Sequence, residues 1–210
     1  MKRGITMKKF ELTDEFITIL GRKLFRIKAL ADFSNVKAGE FGGYVEKENN
    51  LSNEGDAWVS GNARVSGNAQ ISGNALVSGD AQVSGNAQVS DNAQVSGNAW
   101  VSDDAQVSGN TQVYGNAQVS GNARVSGNAQ ISGNALVSGD ADYATIKGFG
   151  TRFRNTTFFK CKNNTVKVSC GCFLGTIDEF REQVKKTRTG KIAEEYLRIA
   201  DLMEFHFNNN

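Results

Sequence analysis

The 210-residue chain contains no proline, a single histidine and three cysteines. No stretch approaches the ~20 consecutive apolar residues that a bilayer-spanning helix needs, which excludes a helical anchor and makes a soluble protein the expectation. The basic start, Met1-Lys2-Arg3, runs into Glu11, Asp14 and Glu15 without the apolar core of a secretion signal. A cytoplasmic location is therefore expected, and Met7 is as good a start as Met1. Cys161, Cys170 and Cys172 are odd in number and clustered near one end, which suits a reducing compartment better than a disulfide framework. The one histidine, His206, sits in the last segment, so no other position can supply an imidazole as general base. A formal net charge of +2 provides no overall attraction to nucleic acid or to an anionic membrane, and neither is an expected partner.

What is present is unevenly spread. All 13 Phe and every Lys lie outside residues 55–144. Charge divides the chain into an N-terminal block, 1–54, at +2, a middle block, 55–144, at −5, and a C-terminal block, 145–210, at +5. The chain reads as a mildly acidic central unit between two basic, Phe-rich ends.

The middle block is a repeat. From Gly55 to Ser138 the unit Gly-Asn/Asp-Ala-x-Val-Ser recurs fourteen times without insertion. A six-residue period is neither helical nor a heptad. Ala and Val are two apart, so in an extended strand both point to one face while x and Ser point to the other. Gly followed by Asn or Asp supplies a bend, because Gly accepts positive φ and Asn/Asp accept it better than most side chains. Strand and corner in alternation build a parallel β-solenoid, in which coils stacked ~4.8 Å apart share a narrow core of Val and Ala. Each fully buried Val contributes ~1.5 kcal/mol or more, enough for a thin core to hold.

Val-Ser-Gly-Asn-Ala-Gln resembles the hexapeptide repeat of left-handed β-helix proteins, many of them acyltransferases. The resemblance implies an all-β, left-handed solenoid with three hexads in each triangular coil. A finer pattern in the residues points instead to two. The outward x residue is Gln in alternate hexads, Gln70, Gln82, Gln94, Gln106, Gln118 and Gln130, while the intervening series varies as Arg64, Leu76, Gln88, Trp100, Gln112, Arg124 and Leu136. That twelve-residue alternation fits a flattened coil of two hexads. It also follows from duplication, since residues 61–82 reappear at 121–142 with one change, Gln82 to Asp142. Two and three hexads per coil both stand as expectations.

The flanks read as caps over the open strand edges of the solenoid. Phe16–Leu20 and Leu24–Ile27 around Gly21-Arg22-Lys23 predict a hairpin. The segment from Asp32 through Gly42-Gly43-Tyr44 to Gly55 resembles the leader of hexapeptide-repeat proteins of bacteriophages and prophages, which implies a mobile-element origin. After the repeat, Thr156–Lys160 and Thr165–Val168 predict a second hairpin. Thr176-Ile177-Asp178-Glu179 is a capping box opening one helix, and an apolar stripe from about Lys191 predicts another. The C-terminal block is thus a small α+β cap with two helices.

Chemistry is sparse. No phosphate loop, nucleophile elbow or carboxylate pair is present, and no cofactor is expected. Cys161, Cys170, Cys172 and His206 number enough for a zinc site, but packing is the expected role of the cysteines. Ranks of outward Thr, which ice binding needs, are missing; Thr111 is the lone Thr of the repeat, at an inward place. Trp58, Trp100 and Tyr114 occupy outward places that neighbouring hexads fill with Gln or Ser, and Trp58 is expected beneath the N-terminal cap. The candidate partner surface is Trp100 and Tyr114 with Arg64, Arg124, Asp80, Asp91, Asp103 and Asp104. The sequence favours a non-enzymatic, self-associating scaffold for a protein partner, with a host defence nuclease as the sharper version. The rivals are a hexapeptide acyltransferase and a virion or tail component. An acyltransferase predicts acyl-CoA binding that is lost in His206→Ala, whereas the scaffold predicts no such binding by equilibrium dialysis.

Overall fold

The structure is a computed structural model describing residues 8–208; Met1 and Met7, the two candidate starts, lie outside the described residues. Strands β1 (Phe10–Ile19), β2 (Arg22–Ala29) and β3 (Phe41–Val45) form the N-terminal cap. Each of the fourteen hexads then contributes one two-residue strand, its x–Val or x–Ile pair, from β4 (Trp58–Val59) to β17 (Leu136–Val137). The C-terminal cap contains β18 (Tyr143–Ile146), β19 (Thr156–Lys160), β20 (Val166–Cys170), β21 (Phe173–Thr176), α1 (Ile177–Thr187) and α2 (Gly190–Asn208).

Parallel partners in the repeat are eighteen residues apart: Arg64 lies beside Gln82, Gln82 beside Trp100, and Trp100 beside Gln118. One coil is therefore three hexads, and the chain is a parallel β-solenoid of about five turns. Face I carries Arg64, Gln82, Trp100, Gln118 and Leu136; face II carries Gln70, Gln88, Gln106 and Arg124; face III carries Trp58, Leu76, Gln94, Gln112 and Gln130. The flattened two-hexad coil is thereby corrected. Three corners share the turning of the chain, where two would each have to reverse it within one Gly-Asn step. The twelve-residue alternation is not a face at all. A shift of 60 residues is three coils plus one hexad, so duplication moved each residue round by one face. Arg64 on face I has its copy, Arg124, on face II.

Inside, the Ala and Val or Ile of the hexads are fully buried, with Ile71 at 1% exposure and its repeat neighbours at 0%. Thr111 is buried in an Ala position, and its hydroxyl is accommodated by donating to the Ser108 carbonyl at 2.7 Å. At several of the Gly corners the stacked backbone crowds any side chain: a Cβ on Gly73 would sit 2.8 Å from the Asp91 amide nitrogen. Asp91 and Asp103 hold the same left-handed corner conformation, with φ of 58° and 59°. Their carboxylates accept the amides of Gly109 and Gly121 in the next coil at 2.9 and 3.1 Å, which offsets the backbone cost.

The ladder between coils is biased in direction. The x, Ser and Asn or Asp amides of a hexad donate to the following coil, as Trp58 N–H does to Ala75 O, Ser60 N–H to Val77 O and Asn62 N–H to Gly79 O, while parallel pairing returns the Val amide to the coil before. The first coil consequently presents mostly carbonyls and the last mostly amides. The N-terminal cap meets the carbonyls with donors. Lys9 Nζ reaches Gly55 O and Ala57 O at 3.2 and 2.8 Å, Asn50 Nδ2 reaches Gly67 O and Ala69 O at 3.2 and 2.8 Å, and the amides of Tyr44, Glu46 and Ser52 take Ala63, Val65 and Ile71. Val45 and Leu51 lie under Val65 and Ile71, so the coil path already begins before Gly55. The C-terminal cap answers with acceptors: Asp140 Oδ1 for Arg124 N–H, Thr157 Oγ1 for Gln130 N–H, and Asp142 Oδ2 for the amides of Ser138 and Gly139.

Both predicted hairpins form, the first longer than expected because β1 and β2 extend back to Phe10 and on to Ala29. The capping box also forms, with Glu179 N–H donating to Thr176 Oγ1 at 3.2 Å and Thr176 N–H to Glu179 Oε2 at 2.8 Å. Helices α1 and α2 bury Phe180, Val184, Tyr196, Ile199 and Met203 against Phe158 and Val168 in a second core, while Phe159 and Cys161 plug the last coil.

Burial pushes the Lys9 ammonium, which also lies 5.0 Å from the Phe33 ring centre, down to about 8 against the pull of Asp56. Folded Lys9 thus loses its proton before the unfolded chain does. Between pH 8 and the ordinary 10.5 the unfolded state binds more protons, so stability from this group rises with pH. Wild-type stability to urea, measured relative to Lys9→Met, is expected to climb across that window; a flat difference would refute the desolvated ammonium.

Candidate functional site

The N-terminal hairpin extends face I, through the order β1-β2-β3-β5. The β1–β2 turn places Leu20 and Gly21 at φ of 49° and 77°. That tight turn leaves Leu20 98% exposed. Residues Ile19, Leu20, Arg22 and Leu24 of the hairpin, with Glu46, Lys47, Arg64, Asn68, Gln82, Ser84 and Trp100, line a groove of about 540 Å³.

Glu46 fastens this groove. Its carboxylate accepts the Gly67 amide at 2.6 Å and an Arg22 N–H at 3.1 Å. Chiefly through the Gly67 amide, and against the opposing effect of burial, its pKa is held below the usual carboxylate range, with Arg22 and Lys47 adding to the effect. Lys47 reaches Asn68 Oδ1 at 2.9 Å. Trp100 closes the far end, 45% exposed, its indole N–H on Ser84 Oγ at 3.3 Å. Its other flank opens on a smaller hollow bordered by Ser102, Asp103, Gln118 and Ser120. Arg64 Nε is buried at the groove without a hydrogen-bond partner. A half-exposed indole and a guanidinium lining one groove suit anchoring of a partner, the role in which Trp and Arg predominate.

Of the residues predicted for a partner surface, the structure joins Trp100 and Arg64 on face I. Tyr114, 37% exposed, stands at the corner leading into the Gln118 strand, one coil beyond Trp100. Arg124 is on face II, apart from them. The aspartates do not converge. Asp80 is at the corner entering face I, Asp103 and Asp104 at the corner leaving it, and Asp91 at the corner between faces II and III. Each accepts a bond from a stacked coil, Asp80 from Asn62 at 3.1 Å and Asp104 from Asn86 at 2.9 Å, so each has a structural task. Trp58 is buried under the cap as expected, its ring 5.4 Å from Phe33 and near edge-on. The hairpin tip was not legible as part of a site, because nothing in residues 19–24 signals which face they will overhang.

The cysteines are dispersed. Cys161 is buried against the last coil, with its thiol pushed up by burial; Cys170 is half-buried in the cap and Cys172 is exposed. His206 lies on α2, 4.9 Å from the Phe207 ring. Among the described residues no group of three or more His, Cys, Asp or Glu is disposed to hold a metal ion. Among the same residues no helix is long and apolar enough to cross a membrane.

The repeat is similar to the YdcK β-solenoid repeat. Matches to that family fall at residues 69–85, 81–97, 87–103, 93–109, 117–130 and 129–141. They include the Trp100 strand and lie within the repeat and its last corner, outside β1–β3 and β18–α2. No curated protein matches the chain.

Because Glu46 holds its proton less tightly when folded, its contribution is present at neutral pH and lost as pH falls through its depressed folded value. Glu46→Gln is expected to abolish that acid-dependent loss and to speed hydrogen exchange at the Gly67 amide. An unchanged exchange rate would remove Glu46 as the fastener.

Proposed function

We propose that this protein is a non-enzymatic scaffold whose β-solenoid presents the face I groove to a protein partner. The observation that carries the reading is Trp100. Its strand neighbours on face I are Gln82 and Gln118, and the buried Ala and Val of the same hexad are unchanged, so neither the coil nor the core calls for an indole there. A large aromatic held half-exposed at the end of a groove that Arg64 also lines supports recognition instead.

The finer reading is a phage- or prophage-type protein acting in the host cytoplasm on a defence component, such as a nuclease with a basic channel. The leader resemblance and the −5 charge of residues 55–144 support it. Hydrogen bonding of Asp80, Asp91, Asp103 and Asp104 within the corners leaves their charge in place, so the rod keeps an acidic field. Self-association would multiply the contacts.

Trp100→Gln restores the prevailing residue of the repeat and is expected to change stability by no more than ~0.5 kcal/mol. In paired affinity captures from a bacterial lysate, the partner held by wild type should drop at least tenfold with this variant. A partner retained at equal yield would move the binding surface off face I. Acyl-CoA binding sensitive to His206→Ala would replace the scaffold with an acyltransferase.

A further inference from the structure

The C-terminal cap carries a second cavity, remote in sequence from the groove and independent of the partner reading. It has a volume of about 120 Å³ and lies between the loop after β18, the β20–β21 turn and the two helices. Three arginines line it, Arg152, Arg154 and Arg188, and no carboxylate does. All seven carboxylates of residues 145–210 are occupied elsewhere. Asp178, Asp201 and Glu204 hold Arg181, Glu182 holds Lys185, Glu194 holds Arg198, Glu195 lies by Lys191, and Glu179 closes the capping box. None of the three arginines forms an ion pair among the described residues. Arg188 Nη1 only donates to its neighbour, the Thr187 carbonyl, at 2.9 Å.

The backbone is shaped around these side chains. Arg154 crosses the turn at Gly171, where a Cβ would collide with its guanidinium. The loop wall lies flush on Tyr196: a Cβ on Gly150 would meet the phenol oxygen at 2.5 Å, and that hydroxyl donates to Phe149 O at 3.1 Å. The floor is fixed by Phe180, whose ring meets Tyr196 at 5.8 Å. Thr151 and Thr187 add hydroxyl groups to the lining. Three fork-shaped cations and hydroxyl donors on a rigid aromatic base, with no competing anion, match a tetrahedral dianion. The volume is about four times the ~30 Å³ share of one water, room for one phosphoryl group and too little to enclose a nucleotide.

We propose that this cleft binds a phosphate dianion, either free or as the terminal phosphoryl group of a monoester, held by Arg152, Arg154 and Arg188. Isothermal titration of the full chain with inorganic phosphate and, separately, with phenyl phosphate tests this at fixed ionic strength, with chloride as the reference salt. Saturable binding of at least one probe is expected, and Arg154→Gln or Arg188→Gln should weaken it about tenfold or more, the scale of a charge-assisted hydrogen bond. Tighter binding of phenyl phosphate assigns a monoester, and tighter binding of inorganic phosphate assigns the free ion. Lys162→Gln removes the same charge outside the cleft and should leave binding unchanged; equal weakening by it would reduce the effect to net charge and overturn the site. Arg152→Gln serves in place of Arg154→Gln should loss of the Gly171 contact unfold the cap. Absence of binding by both probes to the folded wild type would overturn the proposal.

Discussion

The structure depends on a hydrogen-bond ladder that is biased in one direction. Three amides of each hexad donate to the next coil for each Val amide that parallel pairing returns, and this bias makes the two ends of the solenoid chemically different. Carbonyl oxygens predominate at the start and N–H groups at the finish, the reverse of their order at the two ends of a helix. An uncovered end would offer a template for another chain. The caps are therefore not interchangeable lids. One supplies an ammonium, a side-chain amide and backbone donors through Lys9, Asn50 and Tyr44; the other supplies oxygen through Asp140, Asp142 and Thr157. Burying Lys9 is tolerable only because it faces carbonyls and the Phe33 ring.

The same stacking explains why the repeat is so uniform and where it can vary. Inward positions, Thr111 apart, are restricted to Ala, Val and Ile by a core with no spare volume, and most corner positions to Gly by their positive φ and, at several, by stacked backbone. Asp91 and Asp103 escape that second restriction because their carboxylates bond the next coil. Outward x positions answer to no such constraint. Sequence differences accumulate there, and Trp100 and Arg64 lie on the face that the N-terminal hairpin overhangs.

Much of this was legible in the residues. A strict Gly-Asn-Ala-x-Val-Ser unit can bury its Ala and Val only by stacking, so the β-solenoid followed from period and polarity. Hairpins at Gly21 and Asn163-Asn164, the Thr176 capping box and the buried Trp58 were equally readable, because each rests on local chemistry or on proximity to the repeat. The number of hexads per coil was not legible. A six-residue period fixes where corners occur but not how far each one turns, and duplication imposed an alternation on the outward residues that mimicked a second face. Nor was the groove, since residues 19–24 and Trp100 meet only after β3 has joined face I.

The sequence alone determined the solenoid, its thin aliphatic core and the presence of basic, Phe-rich caps, because local period and residue size leave no other way to hide those Ala and Val side chains. Tertiary structure decided what the outward residues mean. It set three hexads to a coil, dispersed the aspartates over three corners, brought Arg64 and Trp100 into one groove, and gathered Arg152, Arg154 and Arg188 around one cavity. Those meetings depend on long-range stacking and on how each cap seats on its end of the ladder, and neither is encoded within the span of a single repeat.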